Sequence, residues 1–600
     1  MNSVVRYIGV IALIAALCAV VGVLFVAPYM VNDGYNMEAT LYLGKVTWVV
    51  VAASLIVAII NRRFFAVGWS DIMIVAFALL LYLNSSSLGL YKEQVLLLLS
   101  IYYSIRLLCT LVDWSRYIFP LIMCGVLAAQ LYIAYSQLFL GEASNHALFA
   151  FTGSFENPGP LCGFVAMLLP IPIYYAFKDG ALALSENKSL NITNTFVKYC
   201  AAVVAMAGVA LVVAGGSRTA LIALVVGCLM LFVNRAMFNK LRGWYRDNRK
   251  LAIAVISVVV VLAVVALYLL FIAKADSAFG RLLLWRTSFA AIVENPFWGV
   301  GLGRFTSCYG EVQAELLSGL EPTDMWVRVA DVPQYAFNEY LHFGVEGGVV
   351  AMLLLVGILA YTIYRSFKCG SVQGRVYGAC LVVLAIFAFA SYPFHVLPFM
   401  VVVTVVVATA VSNFERGFGR YYDRALFGLA LLCCSFLVWR TPHYSDEKLT
   451  QWSSERRYYN MDIFETTVDN YGKLLPDFGD NYAFLFEYGR ALAQTEQYEL
   501  SDSILLMGSA LSKDPMFLNL LGKNAVARGN YNSAEQYFKQ SVRLLPNRHY
   551  PLYLLFDMYL QKGDTLNARI WGERVLNQPP KVNSKFIQEK QSEVSTRLKF

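Results

Sequence analysis

The segment Phe279-Gly-Arg-Leu-Leu-Leu-Trp-Arg286, continued by Glu294-Asn-Pro-Phe-Trp-Gly-Val-Gly-Leu-Gly-Arg-Phe305, decides how this chain is read. It directly follows an apolar run, Leu251 to Ile272, that is long enough to span a bilayer. Four arginines (Arg281, Arg286, Arg304 and Arg328) then fall in one connecting loop of an otherwise apolar chain. If that loop faces outward, these arginines depart from the usual placement of positive charge between spans and call for an anionic ligand.

Composition supports the membrane reading. Of 600 residues, 58% are hydrophobic and only 15% charged, and the mean hydropathy of +0.56 excludes a soluble globular chain. The formal charge of +8 does not point to nucleic acid, because much of it lies in short loops between spans, where Lys and Arg set orientation. Most of the eleven cysteines lie inside apolar runs, and residues 440–600 contain none, so no disulfide framework is expected. The first apolar run, Tyr7 to Met30, is too long for a signal-peptide core and reads as an uncleaved span.

Thirteen spans are expected, at 5–30, 39–60, 70–86, 93–112, 117–140, 159–177, 197–214, 219–233, 251–273, 346–364, 376–392, 396–412 and 425–439. With the N-terminus inside, the inner loops hold Arg62 and Arg63, then Lys178, Lys188 and Lys198, a basic run from Arg235 to Lys250, then Arg365, Lys368 and Arg375, and finally Arg416, Arg420 and Arg424. The outer loops 31–38 and 141–158 contain no Lys or Arg. This asymmetry orients the chain N-inside and places loop 274–345 and the tail beyond Arg440 outside the cytoplasm. The expected fold class is all-α: a transmembrane domain over 1–440 and a helical domain over 441–600.

The tail is polar and aromatic. Gly529-Asn-Tyr531, Ala534, Phe538 and Pro546 fit the second half of a tetratricopeptide unit, and Gly563 and Ala568 repeat Gly529 and Ala534 at an interval of 34. That period belongs to helix-turn-helix repeats whose small residues permit close packing. A more degenerate unit is expected over Tyr482–Pro515. Such repeats usually bind proteins or peptides and sometimes only oligomerise.

Several positions can carry chemistry. Arg218, in Gly215-Gly-Ser-Arg-Thr219, sits at a sharp reversal between two spans at the outer face. It is either a snorkelling interfacial arginine or a ligand-binding one, and the Gly-Gly turn favours the second. Arg281, Trp285 and Arg286 occupy neighbouring parts of one helix surface, equally consistent with an amphipathic interfacial helix. Gly299-Val-Gly-Leu-Gly303 resembles a phosphate loop but follows no strand, so a close-packed turn is the better reading. On a helix, Asn338, His342 and Glu346 would share a face, with Glu339 three residues before His342. Polar groups at a membrane entrance are costly unless used, and a carboxylate with an imidazole could supply a general base. His395, at another outer turn, is a second base candidate. The histidines show no ligand spacing, so no metal is expected.

The order of these segments, Gly153-Ser-Phe-Glu-Asn-Pro158, Gly216-Ser-Arg218, Arg281 to Trp285, Pro296-x-x-Gly-Val-Gly301, and Asn338-Glu-Tyr-Leu341 to Glu346-x-Gly348, resembles the O-antigen ligase family. The superfamily includes lipopolysaccharide O-antigen ligases, bacterial protein O-oligosaccharyltransferases and O-antigen polymerases. The resemblance covers roughly residues 1–440. It implies a metal-independent, cofactor-free glycosyltransferase of the bacterial inner membrane. Such an enzyme transfers a glycan en bloc from undecaprenyl diphosphate at the periplasmic face. By motif match, Arg218 and Arg281 are the diphosphate ligands, with Arg286 and Arg304 as further candidates. Asn338, Tyr340, Glu346 and Trp285 complete the motif. The family commonly has a histidine immediately before the Asn of Asn-x-Tyr-Leu, and that histidine is the expected base. Here the position is Phe337, so either the base has moved to Glu339, His342 or His395, or deprotonation relies on another group.

The acceptor stays open. A periplasmic repeat domain able to hold polypeptide or a protein partner favours Ser or Thr hydroxyls of proteins. Lipid A-core is the next reading and polymerisation the third. A lipid-linked glycan transporter would show internal repeats and midplane charges, which the spans lack. A bare scaffold would not need outer-face arginines.

Overall fold

The computed structural model describes residues 3–26, 37–61, 66–84, 89–111, 115–177, 188–232, 235–251, 275–415, 417–418, 446–581 and 584–598, with isolated positions between 253 and 261 and at 428. Every regular element among them is a helix. Eight helices are long and apolar enough to cross a membrane, and three shorter apolar ones, Trp69–Asn84, Arg218–Phe232 and Val372–Ala388, join them. These eleven correspond to eleven of the expected spans. The runs 251–273 and 425–439 lie largely outside the described residues. The protein is an all-α polytopic membrane protein.

Local sequence explains the irregularities near the site. Asn157 caps the helix that starts at Pro158, accepting a hydrogen bond from Gly159 N at 2.8 Å, with proline where no N–H is needed. Asn338 caps the helix Glu339–Lys368 by accepting from Leu341 N at 3.1 Å. That helix starts seven residues earlier than the expected span and breaks at Gly348, where φ is +71°. The Gly299–Gly303 loop fills the break: Val300 N donates to Val345 O at 2.9 Å, Gly301 N to Glu346 O at 2.9 Å, and Val349 N to Pro296 O at 2.8 Å. The loop thus satisfies backbone groups that the break leaves unpaired, as a close-packed turn. A Cβ on Gly348 would fall on the Phe297 carbonyl, and one on Gly299 on the Val345 carbonyl.

At the far end of the bundle a buried ion pair went unanticipated. Arg106 Nη2 meets Asp71 Oδ2 at 3.0 Å, both side chains almost wholly buried. Tyr102 OH donates to Asp71 at 2.8 Å, and Arg106 also donates to the Ala66 carbonyl at 2.7 Å. Buried charges persist where such bonds satisfy them.

From Asp446 the chain forms antiparallel helix pairs. Tyr482–Gln494 with Tyr498–Leu511, Pro515–Ala527 with Tyr531–Leu544, and His549–Gln561 with Thr565–Asn577 recur at intervals of 33 and 34 residues. Gly529 and Gly563 make the turns at φ +75° and +79°. Asn530 and Asp564 cap the second helices, and Ala534 and Ala568 are buried at the packing contacts. A further pair, Asp446–Asn460 and Phe464–Phe478, precedes them.

These helices sit on the connecting segment 275–338. Lys513 N donates to Thr306 O at 3.0 Å, Asn547 Nδ2 to Ala330 O at 2.8 Å, and Lys581 and Arg548 each meet the Asp331 carboxylate at 2.9 Å. Met37 and Leu90, at the ends of two membrane helices, join the apolar cluster around Trp452 and Tyr471. The connections read as outer from their charge therefore gather at one end of the bundle.

Candidate functional site

At that end, a cavity of about 740 Å³ is bounded by Arg218, Arg281, Trp285, Phe337 and Tyr392. Asn157 and Pro158, at the start of one helix, and Ser217 to Thr219, at the start of another, complete its wall. No carboxylate is among the described residues that line it. Two helix N-termini and two guanidinium groups give it a positive potential. Burial, and next the charge of Arg218, push the Arg281 pKa below its ordinary value. Two cations sharing a half-buried cavity repel each other, and a bound dianion relieves that repulsion.

The other arginine candidates stand apart. Arg286 is exposed and lines none of the cavities described here, although it neighbours Trp285 in sequence: Arg281 and Trp285 face the cavity, and one further residue turns the side chain away. Arg304 is the half-buried N-cap position of helix Phe305–Leu316 and likewise borders neither arginine-containing cavity.

The three base candidates come together, but not at the arginines. His342 Nε2 lies 3.2 Å from Glu346 Oε1, and His395 Nδ1 lies 2.9 Å from Glu339 Oε2. His342 thus pairs with Glu346 on the expected shared face, while Glu339 pairs with His395 rather than His342, because the turn at His395 inserts beside it. The two imidazole centroids are 3.9 Å apart, and Phe305 stacks on His342 at 4.6 Å. All four side chains are buried, and His342, Glu346 and His395 border a cleft of about 30 Å³ rather than the arginine cavity.

The connection between cluster and cavity is aromatic. Tyr335 packs 5.0 Å from His395 and stacks at 4.8 Å on Tyr392, which lines the arginine cavity. Ala336 N donates to His342 Nδ1 at 3.2 Å. The next residue, Phe337, has a φ of +48°, a conformation uncommon outside glycine. The cluster therefore holds the Tyr335–Phe337 turn, and Phe337 itself faces Arg281. Tyr340, the remaining motif residue, donates its hydroxyl to Ala385 O at 2.8 Å and ties two membrane helices together.

Ligand atoms of His342, Glu346 and His395 lie within 4.8 Å of one another, close enough to hold a metal ion. Sequence spacing did not reveal this, since His395 arrives from a distant turn. The hydrogen bond from Ala336 occupies the Nδ1 lone pair of His342 and places its proton on Nε2, toward Glu346. A metal at that nitrogen would have to displace the proton.

Sequence reasoning missed Ser277, Tyr392 and the walls of a second cavity of about 550 Å³, which shares Ser277, Arg281 and Phe337 with the first. Lys581 of the C-terminal helices lines that second cavity. No local motif marks these positions.

Fold and site together define a membrane-embedded protein with a cationic cavity at one end of its bundle. Residues 201–356 match the O-antigen ligase family. That window contains Arg218, Arg281, Trp285, Asn338, His342 and Glu346, and it supports ligase-type glycan transfer on a lipid-linked substrate. No curated protein matches the chain.

Proposed function

We propose that the protein transfers a preassembled glycan from an undecaprenyl-diphosphate carrier to an acceptor hydroxyl at the periplasmic face of a bacterial inner membrane. The observation that carries this reading is the convergence of Arg218 and Arg281, with two helix N-termini, on one cavity with no carboxylate among its described lining residues. As the bond from sugar C1 to phosphate breaks, negative charge grows on the diphosphate. Guanidinium groups fixed in a half-buried site stabilise that charge without reorganising, in the place a metal ion could otherwise take. The acceptor oxygen attacks C1 as the bond from C1 to the diphosphate breaks, and the hydroxyl proton passes to an oxygen of the departing diphosphate. Glu339, His342 and His395 act as positioning residues that hold the Tyr335–Phe337 turn.

The acceptor in this proposal is a Ser or Thr hydroxyl of a protein. The helix pairs beyond Asp446 act as a periplasmic tetratricopeptide-like domain docked at the site. Transfer to lipid A-core is the second reading, favoured by the family match itself. Deletion of the gene, with complementation by wild type and by Arg281→Ala, tests both. Loss of glycan from periplasmic proteins, with an intact lipopolysaccharide ladder, supports the protein acceptor. Collapse of the ladder to lipid A-core assigns the second reading, and no change in either contradicts the proposal.

A further inference from the structure

The second cavity differs in chemistry from the first, and the difference assigns it a ligand. Its walls come from helices Ala275–Glu294, Phe305–Leu316 and Met325–Val329, from the Asp331–Phe337 stretch and from Lys581. None of these lies in a membrane-spanning helix, so the cavity stands off the bilayer, where a glycan rather than a lipid tail belongs. Two of its three cations are matched by carboxylates, and the third, Arg281, is shared with the first cavity. Asp276 pairs with Arg328, and Asp331 pairs with Lys581 at 2.9 Å. Such fixed pairs offer both donors and acceptors and do not select for a second anion.

Gln313 closes the inner wall. It is fully buried, and Tyr309 OH donates to its Oε1 at 3.2 Å, which fixes the amide. The Nε2 of that amide has no hydrogen-bond partner among the described residues. A buried donor without a partner is an exception in folded proteins and marks a place where a ligand group fits. The faces of Tyr309 and Phe337 add apolar surface beside these polar groups. Fixed donors and acceptors with aromatic faces, in a cavity within the usual ligand range of about 300–1,000 Å³, match the hydroxyl-rich rims and apolar faces of pyranose rings.

We infer that this cavity is a sugar-binding subsite that takes the residues of the donor glycan nearest the diphosphate, delivered past Arg281 from the adjoining cavity. The inference rests on the proposed function. It makes the C-terminal helices part of the site, through Lys581.

The test is binding to the full chain in lipid nanodiscs, with two probes: undecaprenyl diphosphate alone, and the same carrier bearing the host oligosaccharide. Gln313→Ala and Lys581→Ala are expected to weaken binding of the glycan-bearing carrier by about tenfold or more and to leave the bare carrier unchanged. Equal weakening of both probes, or none in either variant, overturns the subsite. So does a change confined to the acceptor KM. If the wild type binds neither probe, the proposed function itself fails. If it binds both probes equally well, only the subsite fails.

Discussion

The guanidinium carbon of Arg281 lies 5.9 Å from the centroid of the Phe337 ring, and both residues border both of the larger cavities at the site. The aromatic face steadies a cation that has been partly removed from water. Arg281 therefore stands between the first cavity and a second whose other two cations are paired with carboxylates. Removing it should stop transfer while sparing the fold. Arg281→Ala is expected to lower the initial transfer rate by about 10²–10³-fold, measured on purified enzyme at matched expression. Arg281→Lys should keep a charge but lose the planar fork, and fall between the two.

Phe337 stands where the resembling family carries its histidine. Its φ of +48° lies in a region in which histidine is found more often than most side chains, so Phe337→His should fold normally. Its imidazole would face Arg281 and the arginine cavity. The variant is expected to gain a rise in transfer rate with pH through about 6.5 that the wild type lacks. An unchanged pH profile would mean that position 337 does not reach the acceptor hydroxyl.

His395 links folding to pH. Burial opposes its charge, but Glu339 and then Glu346 outweigh burial and raise its pKa above the ordinary value. A raised folded-state pKa contributes stability that is full below the unfolded value of about 6.5 and is lost as pH rises through the folded value. The melting-temperature gap between wild type and His395→Gln should therefore be wider at about pH 6 than at about pH 9. A gap that grows with pH would refute the pairing with Glu339.

The helix break at Gly348 admits no side chain. A Cβ there would meet the Phe297 carbonyl, and the φ of +71° disfavours any L residue. Gly348→Ala should lose about 1–3 kcal/mol of stability, seen as an earlier thermal transition, and should impair transfer because the Gly299–Gly303 loop docks at the same break.

The fold class was legible because bilayer-length apolar runs and a 34-residue repeat are properties of single segments. The site was legible only in part. Arg218 and Arg281 announced themselves as charges in apolar surroundings. The i, i+4 pair of His342 with Glu346 was legible, but that of Glu339 with His395 was not, because a turn more than fifty residues away inserts His395 beside the helix. Gln313 and Lys581 carry no local signal either, since their role arises only when the C-terminal helices dock on segment 275–338. Arg286 misled because adjacency in sequence turns a helical side chain by about 100°.

In the proposed reaction Arg218 and Arg281 bind the carrier diphosphate. The most direct test is the affinity of undecaprenyl diphosphate for the full chain in nanodiscs, compared among wild type, Arg218→Ala, Arg281→Ala and the exposed control Arg286→Ala. The first two variants are expected to lose most of the affinity while the control keeps it. Wild-type affinity in both Arg218→Ala and Arg281→Ala would contradict that role.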